Sequence, residues 1–331
     1  MKDNLRAHKE KTAIRNSQIC GDFLIVEFLI ALERLGIFAK ISKGETFSAA
    51  QLAREHFLNF GLILAVCEFL SEQEVFEKLE EDSFRFSTVD PAIKNFINYF
   101  LAYRELYNSL DQIIAGKRTY EEYFLREEVR YKEGRYASSV LPTLLPRFKE
   151  LGIHSILDVG GNIPLMRALS EEMPSCRYIT TEDSPLVADE MREIMAGLFH
   201  GGSTTVLRAN AAKPGDFAGK IGSVQAIVGV TAFHDLCEKN DLASLLAEYK
   251  NFFTGSRLFI VEFNIPDWDV LRREPKGVAR YIAAISKITH HFKGNTMPQP
   301  KEVWLEAIGA SGWHLVRAKE MAPNLIIFEC E

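Results

Sequence analysis

From Ile153 onward the sequence alternates short apolar runs with longer amphipathic stretches, and this rhythm narrows the possible folds more than any other feature. Runs rich in β-branched and aromatic residues, bounded by turn residues, read as buried strands; the stretches between them read as helices. Strand and helix in alternation predict an α/β fold, a parallel sheet with helices on both faces. Strands are expected at 155–159, 177–181, 204–207, 224–230 and 258–262, and helices at 165–172, 184–196, 240–253 and about 269–288. Two further strand candidates at 314–318 and 324–330, joined by a short turn, suit a seven-stranded sheet better than a symmetric dinucleotide fold.

With 331 residues the chain exceeds the size at which one core stops growing, so two domains are expected. Residues 1–100 read as three helices and a small hairpin. An apolar stripe runs from Phe23 to Leu35 and stops at Gly36, a second helix starts at Thr46 or Ser48, and a third covers Leu62 to Leu70. Phe84 and Phe86 alternate in the hairpin. This is a winged-helix order, but its third helix is too apolar for a DNA groove and points to association with a partner or with a second copy of the chain. The expected organisation is a winged-helix domain at 1–100, a helical linker at 101–150 and the α/β domain at 151–331.

The partner and compartment follow from composition. At 47% hydrophobic and 25% charged residues the chain is globular, and a net charge of -6 gives no field that would draw it to nucleic acid or an anionic membrane. Its five cysteines are scattered and never spaced as CxxC, which argues against a zinc site or a disulfide framework and for a reducing cytoplasm. Met1 to Asn16 is polar, and the apolar stretch Phe23–Leu32 is short and interrupted by Glu27, so neither a signal peptide nor a membrane span is expected.

Three landmarks carry chemistry. The first expected strand ends in Asp158-Val159-Gly160-Gly161, where glycines let backbone approach a ligand at the carboxyl edge of an open sheet. The second ends in Glu182-Asp183, and an acid there can accept hydrogen bonds from ribose hydroxyls. The fourth leads into Phe233-His234-Asp235, where the histidine can act as a general base and the neighbouring carboxylate can fix its tautomer; the fifth ends in Glu262.

With these residues in place the chain resembles the small-molecule O-methyltransferases of the caffeic-acid and hydroxyindole type. The likeness is carried by Asp158-Val159-Gly160-Gly161, by Asp183-Ser184-Pro185 where the family has Asp-Leu-Pro, by His234-Asp235, and by the stretch Gly255 to Glu262. The resemblance implies a Rossmann-like seven-stranded sheet, a winged-helix dimerisation domain, a homodimer, and S-adenosyl-L-methionine as methyl donor to a small-molecule hydroxyl or enolate. By the same matching, Asp158, Gly160 and Gly161 lie at the cofactor, Asp183 holds the ribose, Asn210 stands near the adenine where the family has Asp, and His234 is the base oriented by Glu262.

The sequence departs from the family at Asn162 and Pro164, where glycine is usual, at Leu236 in place of tryptophan, and at Met297 where plant members carry a second glutamate. Asn tolerates the left-handed conformation and Pro suits a first helical position, which would keep the turn. Two alternatives stay open. His234, Asp235 and one of His290 or His291 form a two-histidine, one-carboxylate set able to hold a divalent metal such as iron. That set resembles the subgroup of the family that methylates the β-carbon of α-keto acids. A relative that keeps the fold and serves only as a binding protein is the other.

Overall fold

The computed structural model describes residues 22–41, 43–87, 97, 104, 107–117, 134–198, 204–237, 241–273, 278–292, 298–321 and 324–331. The chain divides between Arg104 and Glu105 into two compact units. Among the described residues no helix is long and apolar enough to cross a membrane, and the four described cysteines are free.

In the first unit, helix α1 (22–34) precedes α2 (Phe38–Ile41), β1 (Thr46–Ser48), α3 (Ala49–Glu55), α4 (Phe60–Glu72), β2 (Phe76–Glu80) and β3 (Ser83–Phe86). Gly36, at φ 72°, supplies the left-handed turn that ends the first stripe. The second expected helix starts later than the sequence suggests, because Thr46–Ser48 pairs with β3 as an edge strand and Ser48 caps α3 by accepting from the Gln51 amide. Asn59 caps α4 in the same way through the Leu62 amide. The three strands form an antiparallel sheet in the order β1-β3-β2. Phe47, Phe76, Phe84 and Phe86 are buried there in edge and stacked ring contacts.

The second unit is built on a seven-stranded sheet: β4 (Ser155–Val159), β5 (Arg177–Glu182), β6 (Thr204–Arg208), β7 (Ala226–Val230), β8 (Arg257–Phe263), β9 (Leu315–Met321) and β10 (Leu325–Cys330). Their order is β6-β5-β4-β7-β8-β10-β9, parallel except for β10, which runs antiparallel to both neighbours. Buried on both faces, β4 and β7 are apolar runs with a single charged exception, Asp158. The order reverses between β4 and β7, and this switch point opens a crevice at the carboxyl ends of both strands.

Helix α5 (Leu110–Ile114) lies within the stretch expected as a linker, as does α6 (Gly134–Glu150). The latter is part of the sheet's own core, with Phe148 buried 5.0 Å from the ring of Phe259. Arg147 completes the attachment through Nη2 at 2.8 Å from the buried carboxylate of Glu329 on β10. After β4 come α7 (Ile163–Glu172), α8 (Pro185–Leu198), α9 (Ala218–Ile221) and α10 (Leu242–Phe252). The long helix expected at 269–288 is instead two helices, α11 (Trp268–Arg273) and α12 (Val278–Phe292). Residues 274–277, between them in the sequence, lie outside the described residues. Helix α13 (Lys301–Ala310) precedes the final strand pair.

Candidate active site

At the end of β4, Gly160 and Gly161 both adopt left-handed backbone, with φ of 86° and 63°. Side chains are disfavoured there for a second reason. A Cβ on Gly160 would stand 3.0 Å from the Cβ of Ala232, and one on Gly161 would stand 3.0 Å from Sδ of Met191. Asn162 departs from the family pattern without breaking the turn, though not by the left-handed conformation expected of it. Its backbone is extended, at φ -120°, and its side chain caps α7 by accepting from the Leu165 amide at 2.9 Å. Pro164 falls in the first helical turn, where a missing N–H breaks no intrahelical bond.

Asp158 lies fully buried beneath this turn. Its Oδ2 accepts from the Asn162 amide at 2.7 Å and from the Tyr178 hydroxyl, while Oδ1 is buried with no hydrogen-bond partner. Burial pushes its carboxyl up to about 6, against the lowering effect of those donors. The Tyr178 hydroxyl is likewise raised by burial and by the Asp158 charge.

At the end of β5 the two candidate acids part company. Asp183 is exposed, whereas Glu182 is only 2% exposed. The Glu182 carboxylate accepts from the Ser184 amide at 2.8 Å through Oε1, and its Oε2 lies 3.6 Å from where a Cβ on Gly161 would sit. Glu182 therefore stands beside the glycine turn, a position that motif matching assigns to its neighbour. Asn210, after β6, is exposed and folds its oxygen onto the Ala212 amide at 2.9 Å. Its carboxamide NH2 is the end that can donate to a ligand.

Across the crevice, β7 leads through Thr231, at φ 52°, into a 3-10 turn over Phe233–Asp235. Gly229 makes room for this turn, since a Cβ there would come within 2.5 Å of the Phe233 ring. No local sequence pattern marks this glycine, because its role depends on strand and turn being packed together. His234 is buried, its Nδ1 is 2.7 Å from Glu262 Oε2, and its amide donates to Glu262 Oε1 at 3.2 Å. Glu262, fully buried on β8, thus holds both ring and backbone of His234. The carboxylate that fixes the tautomer is Glu262 and not the adjacent Asp235, whose Oδ1 lies 3.6 Å from the other nitrogen, Nε2.

Helix α12 closes the site. His290 Nε2 is 3.2 Å from His234 Nε2, and His290 Nδ1 is 2.6 Å from the carbonyl oxygen of Ser286. The side chain of His291 lies outside the described residues, as does Met297. Each Nδ1 faces an acceptor oxygen, which suits the tautomer protonated at Nδ1, and in that form the two Nε2 atoms face one another as acceptors. A proton or a cation between them relieves that contact. His234, Asp235 and His290 also bring three ligand atoms within 4.8 Å of one another.

No protein-family profile matches the chain, and no curated protein sequence matches it either. Solved structures do. The mitomycin 7-O-methyltransferase MmcR superposes with a TM-score of 0.66 at 19% identity, over 98% of both chains. Human N-acetylserotonin methyltransferase, solved in complex with SAM, gives 0.69 at 13% identity over 97% of both, and PigF with SAH gives 0.69 at 12% over 97% of this chain and 99% of the other. The chain therefore has the fold of S-adenosylmethionine-dependent small-molecule methyltransferases along nearly its whole length.

Proposed function

We propose that this chain is a methyltransferase that uses S-adenosylmethionine to alkylate a small molecule, with His234 as the general base. The observation that carries the reading is the histidine locked by a buried carboxylate just past the end of β7, on the strand beside β4 and its left-handed glycine turn. The residues at that turn suit the cofactor. The unpartnered buried oxygen of Asp158 and the buried Glu182 are acceptors for its ammonium and ribose hydroxyl groups, with Asp183 a second ribose candidate and Asn210 near the adenine. When bound, the cofactor supplies an electrophilic methyl group on a positively charged sulfur.

The protein's part is positional and acid–base. An acceptor O–H placed against His234 Nε2 would give up its proton to that nitrogen, and the resulting imidazolium would be stabilised by the Glu262 carboxylate on its far side. Burial of both partners strengthens that stabilisation. Calorimetric titration tests the reading, with S-adenosylmethionine binding the wild type and Glu182→Gln weakening it by about 1.5 to 3 kcal/mol, as loss of hydrogen bonds to a charged group does. Asp183→Asn in parallel decides which acid holds the ribose. No binding by the wild type would leave only the fold, and the binding-protein alternative.

A second reading rests on the two facing Nε2 atoms. His234, His290 and Asp235 fit a divalent metal such as iron, with Glu262 and the Ser286 carbonyl orienting the two ligand histidines. A metal there would bind an α-keto acid and favour its enol, so that methylation falls on carbon. Metal content of the purified protein, and its loss in His290→Ala, separates this reading from the first.

The first unit suits a homodimer. Phe23, Leu24, Phe57, Phe60 and Leu62 are exposed apolar side chains on its helices and turns, Phe57 at 96%. A winged-helix dimerisation role is supported by their concentration in one small unit.

A further inference from the structure

We propose that Lys287 recognises a carboxylate on the methyl acceptor, so that the acceptors of this protein are small carboxylic acids; the inference rests on the methyltransferase reading of the same rim. Lysine is seldom buried without a partner, yet the Lys287 side chain is only 4% exposed. On α12 the residues Ala283, Lys287 and His290 are buried at spacings of four and three, which puts them on one face. Side chains three apart on a helix stand about 5–6 Å apart at Cβ, so the lysine lies one turn from the histidine that meets His234.

The other walls of this position come from the segment after β8. Asp267 and Trp268 follow five and six residues behind Glu262, with the Trp268 ring centroid 5.7 Å from Lys287 Nζ. Asp267 Oδ1 is 3.7 Å from the ammonium, beyond hydrogen-bond distance, and its side chain is 82% exposed. Among the described residues the ammonium thus keeps a loose ion pair to a solvated carboxylate and a contact to the Trp268 ring. Burial lowers the lysine's pKa despite Asp267.

The charges set an orientation. Glu262 and Asp235 surround His234 and repel a carboxylate, while Lys287, one helical turn away, attracts it. An acceptor bound by its carboxylate at Lys287 therefore turns its opposite, nucleophilic end toward His234 and rests a flat ring near Trp268. A buried ammonium whose described partners are one solvated carboxylate and an aromatic ring suits a carboxylate better than a neutral amide, which would add no opposite charge.

The test titrates the protein's complex with S-adenosylhomocysteine using hydroxybenzoates, hydroxycinnamates and phenylpyruvate, each beside its carboxamide. At least one acid should bind about tenfold or more tightly than its amide. Lys287→Met should abolish that preference and Lys287→Arg should retain most of it, with S-adenosylhomocysteine affinity in both within about threefold of wild type. Should Lys287→Met not fold, the wild-type comparison and Lys287→Arg still decide. Acids that bind no better than amides, or a preference that survives Lys287→Met, overturn the inference. So does a Lys287→Met variant that loses cofactor affinity and keeps the preference, which would put the lysine at the cofactor. Failure of the wild type to bind S-adenosylhomocysteine removes the methyltransferase reading itself, and is seen before any acid is added.

Discussion

Replacing Asp158 by Asn should stabilise the second unit at alkaline pH while weakening cofactor binding. The folded protein raises this carboxyl from 3.8 to about 6, so folding favours its neutral form. Above about pH 6 the wild type is ionised in both states, and the difference corresponds to about 3 kcal/mol against the fold. The penalty is absent well below pH 4, and roughly half of it is present at pH 5. Asn is neutral throughout and keeps an oxygen to accept from the Asn162 amide and Tyr178. Its NH2 then occupies the side where Oδ1 has no partner, which returns about 1 kcal/mol of the gain. The expected result is a net gain of about 2 kcal/mol at pH 8 that falls below about 1 kcal/mol at pH 5. Trp268, Trp304 and Trp313, the 3 tryptophans of the chain, all lie in the second unit, so urea unfolding followed by their fluorescence without cofactor reads the right transition. A variant less stable than wild type at pH 8, or a difference independent of pH, would refute the argument that burial governs this carboxyl. Titration with S-adenosylmethionine should show weaker binding by the same variant.

Three further outcomes are expected. His234→Ala should lower turnover on an identified acceptor by about 10²–10⁴ and leave cofactor affinity nearly unchanged, as measured by kinetics beside calorimetry. Gly229→Ala forces a Cβ into the Phe233 ring and should destabilise the second unit by about 1–3 kcal/mol, with turnover falling because Phe233 carries His234. Sedimentation equilibrium at micromolar concentration should give twice the chain mass, and Phe60→Asp with Leu62→Asp should shift it to the monomer.

The sequence alone determined the strand and helix alternation and the glycine turn at Gly160-Gly161. It also placed His234 and Glu262 at strand ends, because two-residue and 3.6-residue periodicities and turn residues are local properties of the chain. Only tertiary structure decided which groups meet. His234 meets Glu262 across 28 residues and meets His290 across 56, separations over which no local pattern carries information. Which of Glu182 and Asp183 lies buried against Gly161 depends on how the end of β5 sits in register with β4, which no local pattern records. His290 joins the site because the buried face of α12 passes through Ala283 and Lys287, and the helix could show that face to the sheet only once β8 and the turn after β7 had supplied something to pack against.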